Sequence, residues 1–374
     1  MALRNDIDPN GLDEFSVVFT DRSLNHMSAS FQSIMRDISA TLKEVYHAHK
    51  VALVPGGGTY AMESVARHFA TGKQALVIRN GFFSYRWSQI FEAGAIPAGE
   101  TVLMARRRGN AADAPFAPAP LEEVTASIRA ERPDVVFAPH VETASGMILP
   151  DDYLRSVADA VHEAGGLFVL DCIASGCIWV DMDDIGVDVL ISAPQKGWSA
   201  PPSAGMVMLN ARAAKQAAAR ASTSFAMDLN KWLAIMQAYE DGGHAYHATM
   251  PTDALRALHG AMQEARDIGF DRLKAAQWDL GRKVRAELAA LGFRSVAAPG
   301  FEAPGVVVSY TSDPALKTGK AFAARGVQIA AGVPLMVEEG PEFSSFRIGL
   351  FGLDKLADTD ATLARLAGVL EHVV

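Results

Sequence analysis

The chain has 374 residues, 49% of them hydrophobic and 21% charged, the proportions of a soluble globular protein and not of a disordered, collagen-like or coiled-coil one. Its 34 basic and 43 acidic residues leave a net charge of −9, which repels phosphate backbones and argues against a nucleic-acid partner. The two cysteines, Cys172 and Cys177, are too few for a disulfide framework, and no Cys/His cluster suggests a metal site.

Residues 1–10 carry Arg4, Asp6 and Asp8 and no apolar stretch, so they do not read as a signal peptide. No segment reaches the ~18 uninterrupted apolar residues of a membrane span, and a cytoplasmic protein without a membrane partner is expected. Apolar residues at Phe31, Ile34, Met35, Ile38, Leu42 and Val45 have the spacing of an amphipathic helix. Short apolar runs then alternate with helical stretches: 51–54 before 61–69, 75–78 before 84–91, and 135–138 before 151–162. Further runs lie at 167–170, 189–191 and 206–209, the last before an alanine-rich helix over 211–221. This alternation predicts an α/β fold with a mainly parallel sheet covered on both faces. Between them, residues 106–120 hold three arginines and an Ala/Pro-rich run, which reads as a surface excursion.

From Thr252 the texture changes. Thr252 is placed to cap a helix with Leu255, Leu258, Met262 and Ile268 on one face, ending at Gly269. A second helix is expected over 270–291, stopped by Gly292. A strand at 305–310, a helix at 314–325, a strand at 345–348 and a helix at 358–373 complete a smaller α+β unit. The expected organisation is an N-terminal segment 1–20 packing with the small domain, a large domain 21–255 and a small C-terminal domain 256–374.

Open α/β sheets bind ligands beyond the carboxyl ends of their strands, so the residues following each strand carry the functional reading. Gly56, Gly57, Gly58 and Thr59 follow the first, a turn that exposes backbone amides toward an anion at a helix start. It matches neither GxGxxG nor GxxxxGK[ST], so dinucleotide and P-loop sites are not supported. An Asn-Gly turn with Phe82 and Phe83 follows the second strand, where one ring could fill the core or serve as a stacking platform. His140, Glu142, Thr143 and Ser145 follow the third. Asp171 closes the next strand, where a carboxylate needs a cation or donor, and Gln195 with Lys196 follows the strand at 189–191. One edge thus offers an anion cradle, a ring platform, a hydroxyl, a carboxylate and an amine. Pyridoxal 5′-phosphate (PLP) uses all five: donors for its phosphate, a ring partner, a carboxylate for its pyridine nitrogen and a lysine for its aldehyde.

In these motifs the sequence resembles the class V aminotransferases of PLP fold type I, especially their alanine–glyoxylate and serine–glyoxylate branch, from about Asn25 to Gly352. The resemblance implies the PLP-dependent transferase fold, a seven-stranded-type sheet plus a smaller α+β C-terminal domain. It implies Gly57, Gly58 and Thr59 on the phosphate, Phe83 stacked on the ring, Thr143 near the ring oxygen, and Asp171 on the pyridine nitrogen. Ile173 would lie under the other ring face, Gln195 would touch phosphate or ring, and Lys196 would be the catalytic Schiff-base residue. Tyr246-His247-Ala248-Thr249-Met250-Pro251 resembles a segment whose Tyr and Thr reach the neighbouring subunit's phosphate, implying a homodimer with shared active sites through Tyr246 and Thr249. Phe346-Arg347-Ile348-Gly349 resembles the signature whose arginine grips the substrate α-carboxylate, which suits a planar, bidentate guanidinium. A bland alternative for Arg347 is a domain-bridging ion pair.

Where the family usually shows Gly-Pro and Gly-His-Arg-Ser near the N-terminus, this chain has Ser23-Leu24-Asn25-His26-Met27-Ser28. His26 is accordingly expected in an altered substrate loop. The implied activity is transfer of the amino group of a small, alanine- or serine-like amino acid to glyoxylate or pyruvate. The rivals are a 2-aminoethylphosphonate–pyruvate transaminase, a lyase or desulfurase on the same fold, and a catalytically silent PLP-binding protein.

Overall fold

The computed structural model of the protein describes residues 6–373. Its central sheet has seven strands: β1 (Lys50–Pro55), β2 (Gln74–Arg79), β3 (Gly99–Met104), β4 (Val135–Pro139), β5 (Leu167–Asp171), β6 (Val189–Ser192) and β7 (Ala204–Leu209). They lie in the order β1-β7-β6-β5-β4-β2-β3. Every pairing is parallel except those of β7, which runs against both β1 and β6. The two reversals cancel. Strands β1, β2, β4, β5 and β6 therefore end at one edge, and the mainly parallel α/β sheet expected from the alternating runs is present. Strands β4 to β7 are buried along their whole length, because helices cover both faces and leave no solvent side for a polar alternation.

The helices that matter for the site are α1 (Ala29–Tyr46), α2 (Gly58–Phe69), α3 (Phe82–Gly94), α4 (Leu121–Glu131), α5 (Asp151–Ala164), α6 (Leu229–Glu240), α7 (Thr252–Ile268) and α8 (Phe270–Ala290). Helix α1 opens at Ser28, whose hydroxyl accepts the Phe31 N–H, and packs against α6 and α7. Beyond α8, strands β8 (Val306–Tyr310), β9 (Ala330–Ala331) and β10 (Ser345–Gly349) form an antiparallel sheet ordered β8-β10-β9. Helix α9 (Thr359–Leu370) packs on α8. Near the N-terminus, Arg256 donates to the Ile7 carbonyl at 2.9 Å and Asp8 accepts from Ser30 at 2.9 Å. No helix among the described residues is long and apolar enough to cross a membrane.

Several local expectations are corrected. Residues 106–120 are not a surface excursion throughout: Phe116, Ala117 and Ala119 are buried, and Arg106–Arg107 pairs with Phe116–Ala117 in a two-stranded ribbon. Thr252 is the first helical residue of α7, and Pro251 occupies the cap position. The helix expected at 314–325 is two short turns, Pro314–Lys317 and Lys320–Ala323, parted by Gly319 at φ +76°. Strand β3 escaped notice because it is an edge strand, half-buried for most of its length and without a clean alternation.

Candidate active site

The turn after β1 is built for backbone exposure. Gly56 and Gly57 sit at φ +118° and +124°, values that disfavour any side chain, and α2 begins at Gly58. The first-turn amides of a helix have no partner within it, and they point out of the sheet edge here with the dipole behind them. A Cβ on Gly58 would come within 2.6 Å of Ile173 Cδ1, so this turn and the loop after β5 are already in contact. Gly205 of β7 presses from the other side, where a Cβ would lie 2.7 Å from the Gly57 carbonyl oxygen.

Phe83 is fixed by a buried carboxylate. Glu142 accepts the Phe83 N–H at 3.2 Å, the Ser84 N–H at 2.8 Å, the Ser84 hydroxyl at 2.7 Å and the Ala144 N–H at 2.9 Å. Its negative charge sits at the positive end of α3 and ties the Phe83 turn to the loop that carries Thr143. Burial pushes the Glu142 pKa upward, and the four donors oppose that shift. His140 has a different place. Its Nδ1 lies 2.7 Å from the Ser175 hydroxyl, burial holds its pKa down to about 3, and it lines a separate cleft with Lys274 and Trp278.

Asp171, at the end of β5, is buried and has one hydrogen bond, the Ile173 N–H donating to Oδ1 at 2.9 Å. Its pKa is pushed up to about 7, first by burial; the Ile173 amide and Arg86 lower it, and Glu142 raises it further. Lys196 follows β6, with Nζ 5.2 Å from the centroid of the Phe351 ring. Burial, and then the positive charge of Arg347, lower the lysine's pKa. Arg347 lies on β10, where its Nε donates to the Ala331 carbonyl at 2.8 Å and its guanidinium carbon stands 5.5 Å from the Phe83 ring centroid. Among the described residues no carboxylate forms an ion pair with it, which removes the domain-bridging reading.

Several of these groups line a cavity of about 240 Å³, whose lining does not include Glu142, His140 or Arg347. Eight predicted residues line it: Gly58 and Thr59, Phe83 and Thr143, Asp171 and Ile173, Gln195 and Lys196. Gly57 stands behind the turn and does not reach the cavity. Tyr246 and Thr249 lie elsewhere, their hydroxyls 3.2 Å apart, with Tyr246 largely exposed. His26 does not line its own chain's cavity. Its carbonyl accepts the Tyr239 hydroxyl at 3.0 Å, and its ring packs with Phe19 at 5.5 Å and Tyr246 at 5.6 Å. The position just before the Ser28 cap of α1 holds it there.

The chemistry of the set fits PLP. Among the described residues the Thr143 hydroxyl and Asp171 Oδ2 have no hydrogen-bond partner, and both face a cavity that also presents unpaired helix amides. A buried carboxylate with one donor is matched by a protonated ring nitrogen. Three contributors were missed from sequence: Arg86, Phe351 and the organising role of Glu142. Arg86 was detectable, since it stands three positions after Phe83 on one face of α3.

The Asp171 shift has a direct consequence. Its folded pKa of about 7 lies above the 3.8 of an unperturbed aspartate, so the cofactor-free protein binds this proton more tightly than the unfolded chain. Stability attached to the neutral form is then complete below pH 4 and is lost as pH rises toward 7. Asp171→Asn, stripped of cofactor by dialysis, should melt higher than the wild-type apoprotein at pH 8 and approach it below pH 5. The gap should amount to a few kcal/mol at most. A gap that does not change with pH contradicts the assignment.

The family profile described as Aminotransferase class-V matches residues 15–333. Alanine–glyoxylate aminotransferase 1 of Saccharomyces cerevisiae is 26% identical over 354 residues, 88% of this chain and 86% of that protein. The 2-aminoethylphosphonate–pyruvate transaminase of Paraburkholderia phymatum is 26% identical over 359 residues, 92% of each chain. In fold, the crystal structure of an alanine–glyoxylate aminotransferase from Nostoc sp. superposes with a TM-score of 0.78 at 21% identity, covering 93% of this chain and 88% of that one. With the profile spanning most of its length, the chain belongs to the class-V aminotransferase family.

Proposed function

We propose that this PLP-dependent aminotransferase moves the amino group of a small, alanine- or serine-like amino acid to glyoxylate or pyruvate. The observation that carries the proposal is Arg347, a half-buried guanidinium without an ion-pair partner among the described residues, beside Phe83 and close enough to Lys196 to depress its pKa. A planar, bidentate cation at that point suits a substrate carboxylate next to the reacting amine.

PLP bound here would supply an aldehyde for the Lys196 amine and a pyridinium ring to accept electron density from the substrate. Asp171 would hold a proton on the ring nitrogen, since its own burial makes a cationic partner favourable. The lowered pKa of Lys196 keeps more of its amine unprotonated near neutrality, which serves both covalent capture and removal of the Cα proton. Gly58 and Thr59 would offer amides to the phosphate, and Phe83 and Ile173 would hold the ring. The Phe351 ring stands beside the Lys196 amine, its centroid 5.2 Å from Nζ.

A homodimer with shared sites belongs to the same proposal. Leu12, Phe15 and Val17 are 87%, 91% and 102% exposed, and Tyr60, Phe225 and Tyr246 also leave large side chains in solvent. Tyr60 follows Thr59 directly, so the surface that a second copy would cover adjoins the phosphate turn. Tyr246 and Thr249, remote from their own chain's cavity, are then free to serve the partner's phosphate. A fully active monomer in sedimentation contradicts this.

The curated relative from Paraburkholderia phymatum favours a second reading, with 2-aminoethylphosphonate as donor and pyruvate as acceptor. A desulfurase is disfavoured by the two buried cysteines, both of which precede Lys196. Arg347→Lys and a donor panel decide between the readings. The variant should keep its melting temperature and PLP content but lose roughly a hundredfold or more in kcat/KM for alanine and serine, because a charged hydrogen-bond partner is worth a few kcal/mol. Unchanged turnover of amino acid donors, or an unfolded variant, overturns the carboxylate role. Faster turnover of 2-aminoethylphosphonate than of any amino acid installs the second reading.

A further inference from the structure

Arg86 is a cation that the cofactor's ring chemistry leaves without a task. It lines the cavity, its Nη1 donates to the Thr59 hydroxyl at 2.9 Å, and its guanidinium carbon stands 5.3 Å from the Phe83 ring centroid. No carboxylate pairs with it among the described residues. Lys196 and Arg86 are the basic residues lining the cavity, and Asp171 is the acidic one.

Charge balance narrows what Arg86 can meet. The amine of Lys196 is committed to the aldehyde, Asp171 to the ring nitrogen, and Arg347 stands ready for the substrate carboxylate. The phosphate, with close to two negative charges at neutral pH, faces a cradle of helix amides equivalent to about half a positive charge. That is not enough to neutralise it. The residue joined to the Thr59 hydroxyl of that cradle is a guanidinium, whose fork suits phosphate.

We infer that Arg86 is a positioning residue for the PLP phosphate: it fixes the Thr59 hydroxyl and supplies the cationic charge this chain brings to the phosphate turn. By accepting from Arg86, the Thr59 oxygen keeps its own O–H free to donate toward the anion. Its seat on α3, one helical turn beyond Phe83, makes the same helix present the ring platform and the phosphate cation. The inference rests on the PLP reading, but it assigns a residue that reading does not need. The competing explanation is that Arg86 only steadies the Phe83 ring.

Phosphate removal separates the two. Wild-type, Arg86→Met and Arg86→Lys apoproteins are titrated with PLP and with pyridoxal, which has the same ring and aldehyde but no phosphate. For Arg86→Met the PLP dissociation constant should rise roughly 10- to 100-fold, as expected for loss of a charge-assisted contact. The pyridoxal constant should stay within about twofold, and inorganic phosphate should compete with PLP less well than in wild type. Arg86→Lys should recover part of the PLP affinity. If Arg86→Met does not fold, the same selective loss, smaller in size, is required of Arg86→Lys. Equal weakening of both ligands, or no weakening of either, overturns the inference. Failure of the wild-type protein to bind PLP would instead overturn the cofactor reading itself.

Discussion

Asp171 closes the fourth of seven strands in the sheet, on a segment buried from end to end, and its carboxyl group opens only onto the cavity. A charge in that position is costly unless something cationic meets it, and the protein provides one backbone amide. The rest of the site answers to that constraint. The turn after β1 comes so close to Ile173 that a Cβ at position 58 would press on the Ile173 side chain. The stretch after β6 returns with Lys196 to the same cavity. The active site is where five parallel-pointing strands end, and its deepest residue is a carboxylate left for a ligand's positive charge.

Glu142 shows the contrast. It too is fully buried, and it accepts four hydrogen bonds, so its charge is spent within the protein on joining two loops. The two carboxylates differ in what surrounds them, and that separates a structural role from a functional one. Glu142 also acts at a distance: its charge raises the Asp171 pKa and opposes the lowering at Arg347. Arg347 in turn holds the Lys196 pKa down. Burial lowers the Lys196 pKa first, and a cation carried by the small antiparallel sheet adds to that lowering.

Much of this was legible because strand ends in a parallel sheet share an edge. Apolar runs located the strands, and the residues directly after each run reached the cavity in eight of the predicted cases. What was not legible depended on packing between distant segments. The backbone of His26 is held by Tyr239, more than two hundred positions away, and no local pattern reports that. Residues 106–120 look like a polar loop, yet Phe116 bridges to Ala297 and is covered by the small unit. The direction of the Arg86 side chain follows from its bond to Thr59, which depends on how α2 and α3 pack.

The account turns on one covalent bond, between the Lys196 amine and the cofactor aldehyde. Reducing the holoenzyme with borohydride and mapping the modified peptide by mass spectrometry tests it directly. The pyridoxyl label should lie on Lys196 alone, and Lys196→Ala should take up PLP without becoming labelled. A label on any other lysine, or a holoenzyme that cannot be labelled at all, would contradict the account.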